Sequence, residues 1–189
     1  MILTKQIQWF KITIIVTTIG LLGIGSWYLY HIHKPQEQIL DFDDLRDTTD
    51  ILTIFKRDWY WLVASEDYSP EFMLKYRAPT QDFRYMGQLN IKVLRNQDGL
   101  LIGFVAYYLK TATEGLLLFL DVNPSFRSKG YSEQLLTYAL NDLKKLGANI
   151  VHLVTRTNNI HAINLYQHTN FTETSRTDGF VYFAKQLSS

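Results

Sequence analysis

From Val122 to Ser132 the chain reads Val-Asn-Pro-Ser-Phe-Arg-Ser-Lys-Gly-Tyr-Ser, joining an apolar run to an amphipathic one. A helix starting at the end of such a segment leaves its first N–H groups unpaired and carries the positive end of its dipole, which suits a pyrophosphate. Gly130 lets the backbone come close to an anion, and Arg127 and Lys129 add charge. The same residues also describe a basic turn leading into a capped helix, and on physical grounds alone the two readings are even. The chain has no cysteine, which removes disulfides, thiolate metal sites and cysteine nucleophiles together. His152, His161 and His168 have no ligand-like spacing with one another, so no metal is expected. Nineteen basic side chains against eighteen acidic ones leave a net charge of +1. That balance argues against a dedicated nucleic-acid binder, which needs a basic surface to displace counterions.

The elements that must position this loop are legible in outline. Ile39 to Asp43 reads as a first strand. Asp47-Thr48-Thr49-Asp50 offers N-caps for a helix from near Ile51, with Ile51, Ile54, Phe55, Trp59 and Leu62 at helical spacing. Ser69-Pro70-Glu71 is another helix start. Leu89 to Arg95 and Leu100 to Leu109 read as strands around the Asn96-Gln97-Asp98-Gly99 turn. Leu116 to Val122 is a near-continuous apolar strand of the kind buried on both faces. After the loop, Leu135, Leu136, Ala139, Leu140, Leu143 and Leu146 share one helical face, and Gly147 stops the helix. Asn149 to Thr155 is a further buried strand and Asn159 to Thr169 a second helix. Phe171 to Arg176 and Phe180 to Gln186 form a last hairpin around Thr177-Asp178-Gly179. The order is mixed α and β without an internal repeat, and its strand–helix–strand passage implies a local parallel pairing.

The first thirty residues pose a separate question. Ile12 to Tyr30 carries no charge and is about as long as a bilayer's hydrocarbon core is thick. Trp27, Tyr28 and Tyr30 end it, where amphipathic rings favour the headgroup level. An uncleaved membrane anchor is the favoured reading. A cleaved signal peptide, with Lys5 and Lys11 as its charged start and Gly23-Ile24-Gly25 as its cleavage site, is the rival. The chain thus divides into an anchor over 1–30, a polar linker over 31–38 and a globular domain over 39–189. Lys5 and Lys11 on one side are nearly balanced by Lys34, Arg46, His31 and His33 on the other, so charge leaves the orientation open.

Two segments resemble motifs of the GNAT N-acetyltransferases. Val122, Pro124, Arg127 and Gly130 match a buried strand ending V-x-P followed by R-x-x-G-x-G or R-x-x-G-x-A, with Ser132 in place of the last small residue. Asn159, Ala162, Leu165, Tyr166 and Phe171 match N-x-x-A-x-x-L-Y-x-x-x-G-F, with Asn170 where glycine is usual. Asparagine is the next best residue in a left-handed position after a helix. The resemblance covers about Ile39 to Leu187 and implies an α+β fold, with a mixed, mostly antiparallel sheet flanked by helices.

It also implies a reaction, in which a primary amine attacks the thioester of acetyl-CoA within a ternary complex. The backbone of Arg127, Ser128, Lys129, Gly130, Tyr131 and Ser132 is then expected to hold the pyrophosphate. A backbone N–H around Leu120 to Val122 is expected to polarise the carbonyl. Asn159 is expected to contact the pantetheine arm, or simply to cap its helix. Tyr166 is the candidate general acid, since a phenol with a pKa of about 10 can protonate a departing thiolate; otherwise its ring packs in the core.

The base is less well marked. Relatives often carry Glu where this chain has Leu116, and Glu114 falls in an expected turn. Asp121 is the nearest carboxylate to the thioester, as base, as amine ligand or as a strand-end residue tying down the loop. Trp59, Tyr60, Trp61, Tyr68, Phe72 and Tyr76 crowd the segment that covers the acceptor site in this fold; most are expected in the core. An anchored domain that uses acetyl-CoA must face the cytosol. Two other classes stand beside the enzyme: a membrane-tethered module binding CoA or a partner without turnover, and an envelope or secreted protein that has lost acetyl-CoA.

Overall fold

The computed structural model of the chain describes residues 37–187. The expected membrane run over Ile12–Tyr30 and most of the expected linker lie outside these residues. Among the described residues no helix is long and apolar enough to cross a membrane.

Seven strands form one sheet in the order β1-β2-β3-β4-β5-β7-β6. They are β1 (Gln38–Asp41), β2 (Asn90–Arg95), β3 (Leu101–Leu109), β4 (Glu114–Val122), β5 (Ile150–Arg156), β6 (Thr172–Arg176) and β7 (Phe180–Gln186). Every neighbouring pair is antiparallel except β4 and β5, which run parallel. The helices are α1 (Asp44–Leu62), α2 (Pro70–Tyr76), α3 (Tyr131–Lys145) and α4 (Ile160–His168). The α+β reading therefore holds, and its one parallel pairing falls at the strand–helix–strand passage through α3.

Alternation along the central strands sends apolar side chains to both faces of the sheet. One buried cluster joins Ile102, Val105 and Tyr107 of β3 to Leu135, Leu136, Ala139 and Leu143 of α3 and to Ile163 and Tyr166 of α4. The other joins Leu101, Phe104 and Ala106 to Ile51, Ile54 and Phe55 of α1 and to Met73 and Leu74 of α2. The first pair of helices in the chain and the second pair thus cover opposite faces.

Local chemistry explains where the helices begin. Ser69 caps α2 by accepting from the Phe72 N–H at 3.1 Å, with Pro70 at the first helical position. Helix α1 starts seven residues before Ile51, where the capping residues of 47–50 pointed. Asp43 is its cap, accepting from the Arg46 N–H at 2.9 Å, while Asp47 accepts the Asp43 N–H at 2.8 Å. Asp47 is fully buried and takes two contacts from Arg95 on β2, 2.9 Å from Nε and 2.6 Å from Nη2. This pair fixes where α1 sits on the sheet, a role buried ion pairs serve better than stability.

Three packing expectations are corrected. Leu146 is 47% exposed as the chain leaves α3, so the apolar face ends at Leu143. Leu116, Leu118 and Leu120 of β4 are only partly buried, because that strand lacks a neighbour along most of one edge. The six aromatic residues near α1 and α2 are not mainly core: Trp59, Tyr68 and Phe72 are half-buried, and Tyr60, Trp61 and Tyr76 are exposed.

Candidate active site

The site begins where two strands part. β4 and β5 pair only at Glu114↔Ile150, Gly115↔Val151 and Leu116↔His152. β4 then runs on to Val122 and β5 to Arg156 without pairing to each other. The direction of the freed amides follows from the other edge of β4. Asn123 donates its N–H to Ile102 O at 2.8 Å, across from β3. Amide direction alternates along an antiparallel pair, so Asp121 faces β3 and the N–H groups of Val122 and Leu120 face the gap. The bulge at Leu118, where Tyr107 meets Leu117 and Ala106 meets Phe119, precedes this stretch and leaves its alternation intact.

A cavity of about 740 Å³ occupies the gap. Leu118 to Val122 form one wall, and Val154, Thr155 and Asn158 the opposite one. Of the residues expected to meet the co-substrate, Leu120, Val122, Arg127, Ser128, Gly130, Ser132 and Asn159 line it. Lys129 and Tyr131 do not. Lys129 lies over the Phe126 ring at 5.5 Å, and the Tyr131 hydroxyl donates to Glu37 Oε1 at 2.6 Å.

The loop before α3 has the backbone an anion needs. Pro124–Phe126 form a 3-10 turn, after which Ser128 (φ 62°) and Gly130 (φ 84°) are both left-handed. Such changes of hand turn successive N–H groups to one side. A side chain at Gly130 would meet open space, so glycine is required there by the positive φ and not by crowding. Ser128 takes the same region at a cost of about 1 kcal/mol. No side chain caps α3, and among the described residues the N–H groups from Ser128 to Glu133 have no protein acceptor. This is an unpaired donor set at the positive end of a 15-residue helix.

Asn159 is the cap of α4, its Oδ1 accepting from the Ala162 N–H at 3.2 Å, and it lines the cavity as well. Asn170 is left-handed (φ 62°), as its place after α4 requires. Tyr166 is 6% exposed, with its ring 5.8 Å from those of Phe171 and Phe183, yet it borders the cavity. Burial raises its pKa well above the usual phenol value, so it stays protonated and able to give a proton.

The Arg127 side chain turns away from the phosphate loop. Its Nε donates to Val122 O at 2.7 Å, and its Nη2 lies 3.1 Å from Asp58 Oδ2 and 3.6 Å from Asp121 Oδ2. Arg57 closes the group: its Nη2 is 2.6 Å from Asp58 Oδ2 and 3.3 Å from Asp121 Oδ1. Two carboxylates and two guanidiniums thus meet at the end of β4. Burial, and next the Asp58 charge, push Asp121 up to about 7, while Arg127 and Arg57 pull it back.

Neither Arg57 nor Asp58 follows from the motifs. A signal existed, however: Asp58 stands four residues after Ile54 and three after Phe55, a charge at a core-facing position of α1. It is buried there at a break in the helix (φ −110°, ψ 22°), while Trp59, expected on that face, is only half-buried. Glu114 starts β4 beside Ile150, at the paired end of the gap. Among the described residues no three His, Asp or Glu side chains converge to hold a metal ion.

The model of the Acetyltransferase (GNAT) family matches residues 48–171, well over half of the chain. A search of curated protein sequences found no match. Solved structures share the fold at low identity. The ribosomal-protein-S18-alanine N-acetyltransferase from Escherichia coli is 21% identical with a TM-score of 0.60, over 82% of this chain and 96% of that one. A GCN5-related N-acetyltransferase from Kribbella flavida is 16% identical with a TM-score of 0.66, over 80% and 98%. The yncA protein from Salmonella typhimurium, solved with its cofactor acetyl-CoA, is 15% identical with a TM-score of 0.65, over 82% and 95%. A parted parallel pair, an uncapped helix start facing the gap and the family match agree: this chain belongs to the GNAT acetyltransferase family.

Proposed function

We propose that this protein transfers acetyl from acetyl-CoA to a primary amine by direct attack within the cleft between β4 and β5. One observation carries the reading: Ser128, Gly130, Ser132 and Glu133, whose N–H groups are unpaired, border the same cavity as Leu120 and Val122, whose N–H groups face the gap. The donor set fits acetyl-CoA, which has a pyrophosphate to be held and a thioester carbonyl to be polarised. Bound there, acetyl-CoA supplies an activated acetyl group.

The chain's own groups do the rest. Backbone amides from Ser128 to the start of α3 hold the pyrophosphate; the Arg127 N–H, expected among them, is bonded to Pro124 O at 3.3 Å instead. The Val122 or Leu120 N–H polarises the carbonyl. Asn159 meets the pantetheine arm while capping α4. Asp121 takes the proton of the incoming amine, and buried Tyr166 gives one to the leaving sulfur. Trp61, Leu62, Val154 and Ile160 add apolar side chains to the cavity lining, which suits an amine carried next to an apolar group.

The test is direct. The full-length chain, kept in a mild detergent for its apolar N-terminal run, is mixed with acetyl-CoA and a panel of primary amines, and thiol release is followed. The protein has no cysteine, so every thiol detected is CoA. Amine-dependent thiol release and an acetylated product by mass spectrometry are expected. Acetyl-CoA that raises the melting temperature without turnover on any amine would leave a binding module instead. For the N-terminal segment, the proposal is a retained single span over Ile12–Tyr30 with the domain in the cytosol, since acetyl-CoA is a cytosolic metabolite.

A further inference from the structure

Asp58 belongs to no motif, yet it lies at the centre of the charged group beside the cleft. It accepts from Arg57 Nε at 2.8 Å, Arg57 Nη2 at 2.6 Å and Arg127 Nη2 at 3.1 Å. Asp121 receives the same two guanidiniums at longer range, 3.3 Å and 3.6 Å. Both carboxylates are more than nine-tenths buried or close to it, at 8% and 9% exposure. Two neighbouring carboxyl groups with unequal support do not ionise alike; the better-supported one keeps its charge and the other holds the proton. The break in α1 brings Asp58 here: its φ of −110° and ψ of 22° leave the helical region in mid-helix.

We propose that Asp58 is a positioning residue that joins Asp121 in a proton-sharing carboxyl pair, and that this pair, not Asp121 alone, receives the proton of the acceptor amine. The proposal rests on the reading of Asp121 as the group serving the acceptor. Its partners can be named from every side: Arg57 and Asp58 from α1, and Arg127 from the loop. Glu133 of α3 and His161 of α4 line the same cavity, and among the described residues no contact joins them to the pair.

The protons balance. The acceptor arrives as an ammonium ion, and one N–H bond breaks as its proton passes to the Asp121 carboxylate, held against Asp58. The freed lone pair forms the N–C bond to the acetyl carbon. The C–S bond breaks with its electron pair on sulfur, which takes a proton from Tyr166. The second proton lost by the nitrogen restores Tyr166, and the carboxyl pair returns its proton to water. An ammonium ion and a thioester become an amide, a thiol and one released proton. The pair stays at zero or one proton throughout. Asp58 anchors both guanidiniums beside Asp121 throughout.

Side-chain carboxyl carbon NMR on the labelled full-length chain tests this without turnover. In the native protein the Asp121 and Asp58 carboxyl resonances should move together, with one midpoint near neutral pH, because a shared proton is seen by both carbons. In Asp58→Asn the Asp121 midpoint should fall by about one unit or more, since a like charge has been replaced by an amide beside two guanidiniums. The acid limb of kcat/KM should move down with it while KM for acetyl-CoA stays put. An Asp58 resonance that does not respond at the Asp121 midpoint overturns the pair, even if Asp58→Asn fails to fold. So does an Asp121 midpoint that Asp58→Asn leaves in place. Loss of the acetyltransferase reading would appear separately, as absent turnover with both resonances still moving together.

Discussion

Arg127 reaches back across 69 positions of sequence to hold Asp58 at 3.1 Å. A residue of the phosphate-loop motif is thereby committed, through its side chain, to the carboxylates on the far side of β4, while its own N–H closes the 3-10 turn onto Pro124 O at 3.3 Å. The guanidinium of the motif arginine thus organises the carboxylates at the end of β4.

Arg127→Gln follows from that division of labour. It removes one of two guanidiniums from Asp58 and Asp121, at a cost of about 1 kcal/mol given the half-exposed side chain. Saturating acetyl-CoA should still raise the melting temperature, because the amides of Ser128 to Glu133 remain. Arg127→Glu sets a third carboxylate against Asp58 and Asp121 and should remove most of that gain. Differential scanning fluorimetry with and without acetyl-CoA separates the two variants.

Tyr166→Phe keeps the ring between Phe171 and Phe183 and loses only the hydroxyl. If the hydroxyl protonates sulfur, kcat should fall by about 100-fold with little change in acetyl-CoA affinity. Steady-state kinetics with a matched melting curve checks it; unchanged kcat would return Tyr166 to the core alone.

Asp121 has a folded-state pKa of about 7, raised from 3.8. The folded protein therefore binds its proton more tightly than the unfolded chain does. The resulting stability is present in full below the unfolded value and is lost as pH rises through about 7. Asp121→Asn should flatten that part of the stability curve. Urea midpoints measured from pH 4 to pH 8 should fall for the native protein relative to the variant over this window. Parallel curves would mean that the carboxyl is not the titrating group.

Membrane topology has its own test. A C-terminal alkaline phosphatase fusion should be inactive and a C-terminal tag protected from protease in intact cells, if Ile12–Tyr30 is a retained span with the domain inside. An active fusion, or a mature protein lacking its first 25 residues or so, would set the domain outside, away from acetyl-CoA.

The strands and helices of the described chain were largely readable, because turn chemistry marks their ends: Asn96 to Gly99, Ser69-Pro70, Gly147 and Asn170 all do in the structure what their residue types favour. The start of α1 was misplaced because the eight residues from Asp43 to Asp50 offer six possible caps, and only the tertiary pair between Asp47 and Arg95 decides among them. The loop and α4 were readable as motifs because backbone geometry constrains their residues locally. The charged group was not. Arg57 and Asp58 join Asp121 and Arg127 only through the placement of α1 over β4, and nothing in local spacing carries that contact.

A sheet ordinarily acts as a partition, and the parting of β4 from β5 makes a doorway in this one. Helices α1 and α2 lie on one side, with Asp58 and the guanidinium of Arg57; α3 and α4 lie on the other, with the unpaired amides and Tyr166. The opening is hinged at the Leu116↔His152 rung and strapped over the α1 side by Arg156, which bonds Tyr60 O and, at 3.0 Å, Val63 O. Traffic through it sorts by charge. In the proposed reaction the amine's proton leaves toward the carboxylates on one side, while the thiol with its phosphates departs on the other.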